Sequence, residues 1–434
     1  MNRSTARPSG RARTARAAWA GLAALCLTAL VACTSSEPLG FETAAARGAD
    51  DLAAQTGALP AFLARFEATL TPVDPKAPRR RVVLDPMLET TSGQQTATTA
   101  LLGKLVGERL GRKTGRFELV PFRGDTLPDA QLLLTGTMTR APGGAPAAGV
   151  RIDLALTDLK TRQVIAQTTV HARDEALDPS PLRYYKDSPI VIKDKVSEGY
   201  ARTSRTAVGQ PADTYYLERI GVAAQIDAAT TLYNAERYRD ALGRYEDMQN
   251  DAGGQQLRIE SGIYLTNMRL GRVAEAEQAF GRIVALGIQY NELGVKFLFN
   301  PGSLEFWSDP KISGSYGMWL RQIARESVRS NTCMNVVGHT SNSGDATLND
   351  ALSLRRAGVI RQLLVAQAPV LGARTAAIGK GFRENLVGSG TDNGFDVLDR
   401  RVEFKIVGCE QIPAEGAPDA KPAAATPAKP TTRS

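Results

Sequence analysis

Residues 333–357 read CMNVVGHTSNSGDATLNDALSLRRA, and the fold of the C-terminal part depends on how this stretch is parsed. Cys333–Val337 is a short run of apolar and β-branched residues, which predicts a strand. It enters Gly338-His339-Thr340-Ser341-Asn342-Ser343-Gly344, small and polar residues that suit a turn. Apolar spacing from about Leu348 to Ala366 then predicts a helix. Toward the N-terminus, Val295–Phe299 predicts a strand. Tyr316–Ser330 predicts a helix with Trp319, Leu320, Ile323, Ala324 and Ser327 on one face. Toward the C-terminus, Ala376–Ile378 is strand-like, a Gly-rich loop runs to Asn393, and Arg400–Val407 closes the unit as a strand. Residues 292–410 thus read as one α/β domain.

Three motifs occur in order within it: Gly338-His339-Thr340, then Asn349-Asp350-Ala351-Leu352-Ser353-Leu354-Arg355-Arg356-Ala357, then Arg400-Arg401-Val402-Glu403. This pattern resembles the OmpA-like peptidoglycan-binding domain, which implies a βαβαβ-type fold. The resemblance also implies a ligand, the diaminopimelate residue of the peptidoglycan stem peptide. That side chain ends in an ammonium and a carboxylate, so its site needs an acceptor and a cation at fixed separation. In the family an Asp after Gly-His-Thr takes the ammonium, and the Arg of Leu-Ser-x-x-Arg takes the carboxylate, where a guanidinium pairs in bidentate fashion. Carried over, the cation is Arg356 and the Asp position is Ser341.

A hydroxyl accepts one hydrogen bond but cannot neutralise an ammonium. The loss amounts to about 1–3 kcal/mol, on the order of 5- to 150-fold in affinity. Asp345, just past the turn, is placed to compensate in part. Thr340, Asn349 and Arg401 complete the expected ligand set, with Asn349 also orienting the turn. Asp399 stands where the family has Asn and is expected beside Arg400. Three readings stay open: diaminopimelate peptidoglycan, a variant cell-wall ligand, or a fold kept for protein contacts alone.

Residues 215–290 carry an internal repeat. Tyr238, Ala241 and Tyr245 are matched by Val273, Ala276 and Phe280; Arg237 matches Arg272, and Asp240 matches Glu275. The period resembles tetratricopeptide repeats, in which a small residue permits close helix approach and a large one fills the gap. Two repeats fall short of an independent array, so they are expected to dock on a neighbour, as a partner-binding groove or as a spacer.

Residues 79–200 predict a second α/β domain in the order strand, helix, strand, strand, strand, strand. The strands are Arg81–Asp85, Arg116–Pro121, Ala130–Met138, Val150–Leu156 and Gln163–His171, with a helix over Thr96–Leu110. The phrases LLLTGTM (132–138) and RIDLALTDLKTRQVIAQ (151–167) resemble the periplasmic domain shared by CsgG, FlgO and LpoB-type activators. Tyr184-Tyr185-Lys186-Asp187-Ser188-Pro189 reads either as packed loop aromatics or as a partner contact.

The N-terminus predicts an address rather than structure. Arg3, Arg7, Arg11, Arg13 and Arg16 precede an apolar stretch from Ala17 to Val31, which ends in Leu30-Val31-Ala32-Cys33. That tetrapeptide resembles a bacterial lipobox. It implies a signal peptide over 1–32, acylation of Cys33 and, with Thr34 next, an outer-membrane anchor facing the periplasm. A plain secretory signal with a coincidental cysteine is the alternative. Residues 33–78 read as the anchor and a tether, with one amphipathic helix near Asp51–Leu70; residues 411–434 read as a disordered tail. In an oxidising compartment Cys333 and Cys409 are expected to pair, or else to stay as buried thiols.

Five of the eight net positive charges lie on arginines within 1–32, and the three left give no nucleic-acid footprint. With His171 and His339 the only histidines, no zinc spacing, nucleophile elbow or phosphate loop occurs. No cofactor and no catalysis are expected. The sequence points to a lipoprotein that binds peptidoglycan non-covalently and tethers the outer membrane to the wall. The alternative is an accessory factor of an envelope machine, positioned by its wall-binding domain and engaging an unknown envelope protein.

Overall fold

Arg80–Leu84 (β1) is a short apolar strand, and it becomes the parallel centre of the first sheet in a computed structural model of the chain. The model describes residues 39–57, 79–113, 116–140, 149–173, 177–250, 253–291, 293–388, 390 and 395–412. Leu88–Glu89 (β2), Phe117–Val120 (β3), Leu132–Arg140 (β4), Val150–Asp158 (β5) and Gln163–Ala172 (β6) complete this sheet in the order β3-β1-β4-β5-β6, with β2 added onto β4. β1 lies parallel to both neighbours, Val82 opposite Leu119 and Leu132. A parallel step needs a crossover, and Ala97–Lys113 (α2) supplies it. β4, β5 and β6 form an antiparallel meander. The element order is the predicted one except for β2, which lies between β1 and α2 and was not expected.

The run Leu132-Leu133-Leu134 is apolar without alternation because both faces of the sheet are covered. Leu102, Val106 and Leu110 of α2 cover one face, together with Ala44, Ala45, Ala49 and Leu52 from Phe41–Gly57 (α1). Val196 and Tyr200 from Lys195–Arg205 (α3) cover the other. The sequence reading places a helix near Asp51–Leu70 within a tether, and residues 58–70 of it lie outside the described residues. Residues 51–57 form the end of α1, which starts at Phe41 and packs onto the sheet. Its small residues, which suggest flexibility by composition, permit contact: a Cβ on Gly48 would stand 2.7 Å from Leu154 Cδ1. Asp50 pairs with Arg109 of α2 at 2.7 Å. The signal segment, Cys33, residues 58–78 and the tail from 413 onward lie outside the described residues.

Four helices follow: Ile220–Asn234 (α4), Tyr238–Gln249 (α5), Leu257–Arg269 (α6) and Val273–Tyr290 (α7). The repeat is visible in their packing. Ala241 and Ala276 are fully buried, as are Tyr245 and Phe280, while Val273 is exposed. Tyr184 and Tyr185, in a helical turn at Arg183–Asp187, are buried against these helices, which fits the packed-aromatic reading. The helices also dock on the next domain. The Phe280 ring stacks on Trp319 with centroids 5.4 Å apart, and Trp319 Nε1 donates to the Tyr264 hydroxyl at 2.9 Å.

The C-terminal sheet holds Phe297–Leu298 (β7), Cys333–Gly338 (β8), Thr375–Gly379 (β9) and Arg401–Val407 (β10), ordered β7-β10-β8-β9. Tyr316–Arg329 (α8) and Ala346–Gln367 (α9) connect its strands. β8 and β9 are parallel, and β10 runs antiparallel to both β7 and β8. Cys333 and Cys409 form a disulfide with their Cα atoms 5.1 Å apart, joining the start of β8 to the residues just past β10. Among the described residues no helix is long and apolar enough to cross a membrane.

Candidate functional site

The turn after β8 is held against α9 by backbone contact. A Cβ at Gly338 would fall 1.9 Å from the Ser353 carbonyl oxygen, so only glycine fits there. Asp345 caps α9, its carboxylate accepting from Leu348 N at 3.0 Å. Asn349 Nδ2 donates to the carbonyls of Ser343 (2.7 Å) and Asp345 (3.0 Å), which shapes the turn as expected. Ser353 Oγ donates to Asp350 O and accepts from Gly381 N, tying in the loop after β9.

Arg356 is fully buried beneath this turn. Its Nε donates to Ser303 O at 3.0 Å, Nη2 to Asn300 O at 2.8 Å and Nη1 to His339 O at 3.3 Å; the guanidinium carbon lies 5.2 Å from the centre of the Phe299 ring. The sequence reading has this cation facing a ligand carboxylate. Here its donors meet backbone carbonyls, two of them from the Asn300-Pro301-Gly302-Ser303 turn that follows β7. The motif residues do come together, but Arg356 is covered.

The acidic half is also changed. Ser341 is buried, with Oγ 3.4 Å from Ser343 Oγ. Asp345 is exposed and engaged as a helix cap, so its carboxylate belongs to the helix N-terminus rather than to the buried turn. Asp399 is not beside Arg400 as expected. Its Oδ1 accepts from Leu386 N (2.5 Å) and Val387 N (3.0 Å), and its Oδ2 from Gly388 N (2.7 Å). Burial pushes this carboxyl up against the pull of those N–H groups. An Asn would offer one acceptor oxygen in place of two, so Asp organises this loop more fully. Arg400 turns instead toward Phe299 O and the Trp307 ring.

A charged network closes the far side. His339 Nε2 lies 3.1 Å from Glu403 Oε1, and Arg401 Nε donates to Glu403 Oε2 at 3.1 Å. Burial and Arg401 push the His339 pKa down, so the imidazole is neutral and donates through Nε2 to the acceptor-only carboxylate. Burial raises the Glu403 carboxyl, but Arg401 and His339 outweigh it and hold the group well below the usual range. Ligand atoms of His339, Glu384 and Glu403 lie within 4.8 Å of one another. Arg401 already balances Glu403, and Lys380 and Lys405 balance Glu384, so these residues form an ion-pair network. His339 Nδ1 and Thr340 Oγ1 are buried without a hydrogen-bond partner among the described residues. Glu384 and the 300–303 carbonyls escaped the sequence reading; the Asn-Pro-Gly-Ser turn signal directly after the first strand was the available clue.

Over 26% of its length the chain is similar in fold to the peptidoglycan-associated lipoprotein from Burkholderia pseudomallei, with 22% identity, 89% of that chain covered and a TM-score of 0.22. It is likewise similar to the cell wall anchor of the T6SS from Pseudomonas aeruginosa, with 25% identity, 26% of this chain and 77% of that chain covered, and a TM-score of 0.21. No family model and no curated protein matches the chain.

Proposed function

We propose that residues 292–410 bind the stem peptide of peptidoglycan non-covalently, and that the protein, acylated at Cys33, tethers the outer membrane to the wall. The supporting observation is the meeting of Arg356 with the Gly338-His339-Thr340 turn, Nη1 to His339 O at 3.3 Å, with two polar atoms beside it that have no hydrogen-bond partner among the described residues. A ligand carboxylate would replace the Asn300 and Ser303 carbonyls on the guanidinium once the 300–303 turn gives way. That exchange trades neutral acceptors for a charged one, and charge-assisted bonds are roughly twice as strong. The docking of Phe280 on Trp319 favours a second reading, in which residues 79–290 are held firmly to the wall domain and present a surface to an envelope protein.

Sedimentation with purified peptidoglycan tests the first reading. The mature chain should pellet at low salt, and Ser341→Asp should tighten binding by roughly 5- to 150-fold by restoring the ammonium's counter-charge. A chain that stays in the supernatant, or a Ser341→Asp variant that is folded yet binds no better, overturns the site. For the second reading, a deletion strain that keeps its envelope intact and loses a single secretion or appendage pathway is the expected phenotype.

A further inference from the structure

A cavity of about 670 Å³ lies where the repeat helices meet the C-terminal domain, away from the turn described above. None of Ser341, Asn349 or Arg356 lines it. Its walls combine apolar and aromatic side chains, among them Tyr264, Met268, Leu298 and Trp319, with five cations against two acids. Its volume falls in the range of small-molecule sites.

The distinctive member is Lys296. It sits inside the apolar run Val295-Lys296-Phe297-Leu298 and is only 3% exposed. Its ammonium carries three donors, and among the described residues it has one hydrogen-bond acceptor, Tyr185 O at 3.1 Å. Neither lining acid hydrogen-bonds it: Asp187 is held by Arg269 and the Tyr233 hydroxyl and acts on Lys296 only through space, and Asp309 caps a helical turn by accepting from Lys311 N. A buried ammonium with most of its donors unmet costs free energy unless a partner arrives. Lys186 and Lys311 stand exposed at the rim with no ion pair among the described residues. A field of one sign at the mouth of a low-dielectric cleft draws in the opposite charge.

We infer that this cavity is a binding site for a small oxyanion, a carboxylate or phosphate group on a partly apolar molecule, with Lys296 as its principal contact. The anion accepts from the Lys296 ammonium, its apolar part lies along Trp319 and Met268, and Lys186 and Lys311 guide it in. Burial lowers the Lys296 ammonium to about 7 against the pull of Asp187, and an adjacent anion raises it again. Because Tyr264 belongs to α6 and Trp319 to α8, an occupant touches both sides of the repeat–domain junction and stabilises their docking.

Calorimetry and thermal unfolding of the mature chain, with inorganic phosphate in one arm and succinate in the other, test this assignment. At least one anion should bind and raise the melting temperature at concentrations up to about 10 mM. Lys296→Met should fold, since it replaces a costly buried charge with an apolar chain of similar length, and should weaken binding by more than about tenfold. The double variant Lys186→Ser/Lys311→Ser leaves the interior intact and should weaken binding and flatten its salt dependence. The arm that responds identifies the oxyanion. Binding of neither anion, or binding that both variants leave unchanged, overturns the assignment. If Lys296→Met fails to fold, an unchanged rim variant alone does so.

Discussion

Lys296 also makes a prediction about stability that needs no ligand. Burial pushes its ammonium from 10.5 down to about 7. Between those two values the unfolded chain holds a proton that the folded chain has released, so unfolding takes up protons and stability rises with pH. Below about pH 7 both states are charged and the contribution is flat. Across the full window the effect is on the order of 5 kcal/mol, at about 1.4 kcal/mol per pKa unit. Buried tyrosines complicate the upper end: burial holds Tyr184, Tyr200 and Tyr216 well above 10, so they favour the folded state less as pH passes that value. Restricting the range to pH 7–9.5 leaves about 3 kcal/mol for Lys296. Urea unfolding in a buffer free of phosphate and carboxylate measures it. The wild-type midpoint should climb through this range. That of Lys296→Met should stay nearly level and exceed the wild type at pH 7. Parallel pH profiles for the two proteins would refute a buried, weakly partnered ammonium.

Three further outcomes follow from the packing. Asp85, whose carboxylate accepts from the Tyr216 hydroxyl at 2.5 Å, is pushed up to about 7 by burial, so it costs stability as pH rises from 4 to 7. Its side chain keeps some solvent contact, so the effect should be about 2 kcal/mol rather than the full shift, and Asp85→Asn should remove it in urea titrations at pH 5 and 8. Opening the Cys333–Cys409 bond, 76 residues apart in sequence, should cost about 4 kcal/mol by loop-closure entropy, read as a lower urea midpoint for the double Ser variant. Trp319→Ala should cost about 3–5 kcal/mol and free the repeat helices to limited proteolysis while the C-terminal sheet stays protected.

The elements that were legible in sequence are those whose signal is local. Cys333–Gly338 reads as a strand and α9 as a helix because apolar period, turn and cap all lie within 35 residues of one another. Ala241 with Ala276 and Tyr245 with Phe280 announce their packing by recurring at one period. The first turns of α1, from Phe41 to Asp50, escaped the sequence reading because Ala44, Ala45, Gly48 and Ala49 carry little hydrophobic contrast, and their value lies in close approach to the sheet, Gly48 to Leu154 more than 100 residues away. Arg356 was found as a motif residue, but its environment was not. Its acceptors are backbone carbonyls from a turn over 50 residues upstream, and a carbonyl has no side-chain signature. Lys296 lay in plain view as a charge inside an apolar run, where only the folded structure reveals how few acceptors meet it.

The bond between Cys333 and Cys409 also has a mechanical meaning. β10 pairs with β8 from Val402 opposite Gly338 to Val407 opposite Cys333, and the tail departs just beyond that last pair. A pull on such a tail would ordinarily peel the strand away one rung at a time, starting at Val407, with each rung opposing the load alone. The covalent link sits at the point where peeling would begin. A load arriving from the tail therefore crosses to Cys333 and into the chain before it, and the β8–β10 ladder inside the closed loop is spared. Fastened at that end, the sheet keeps its pairing whatever the tail is made to carry.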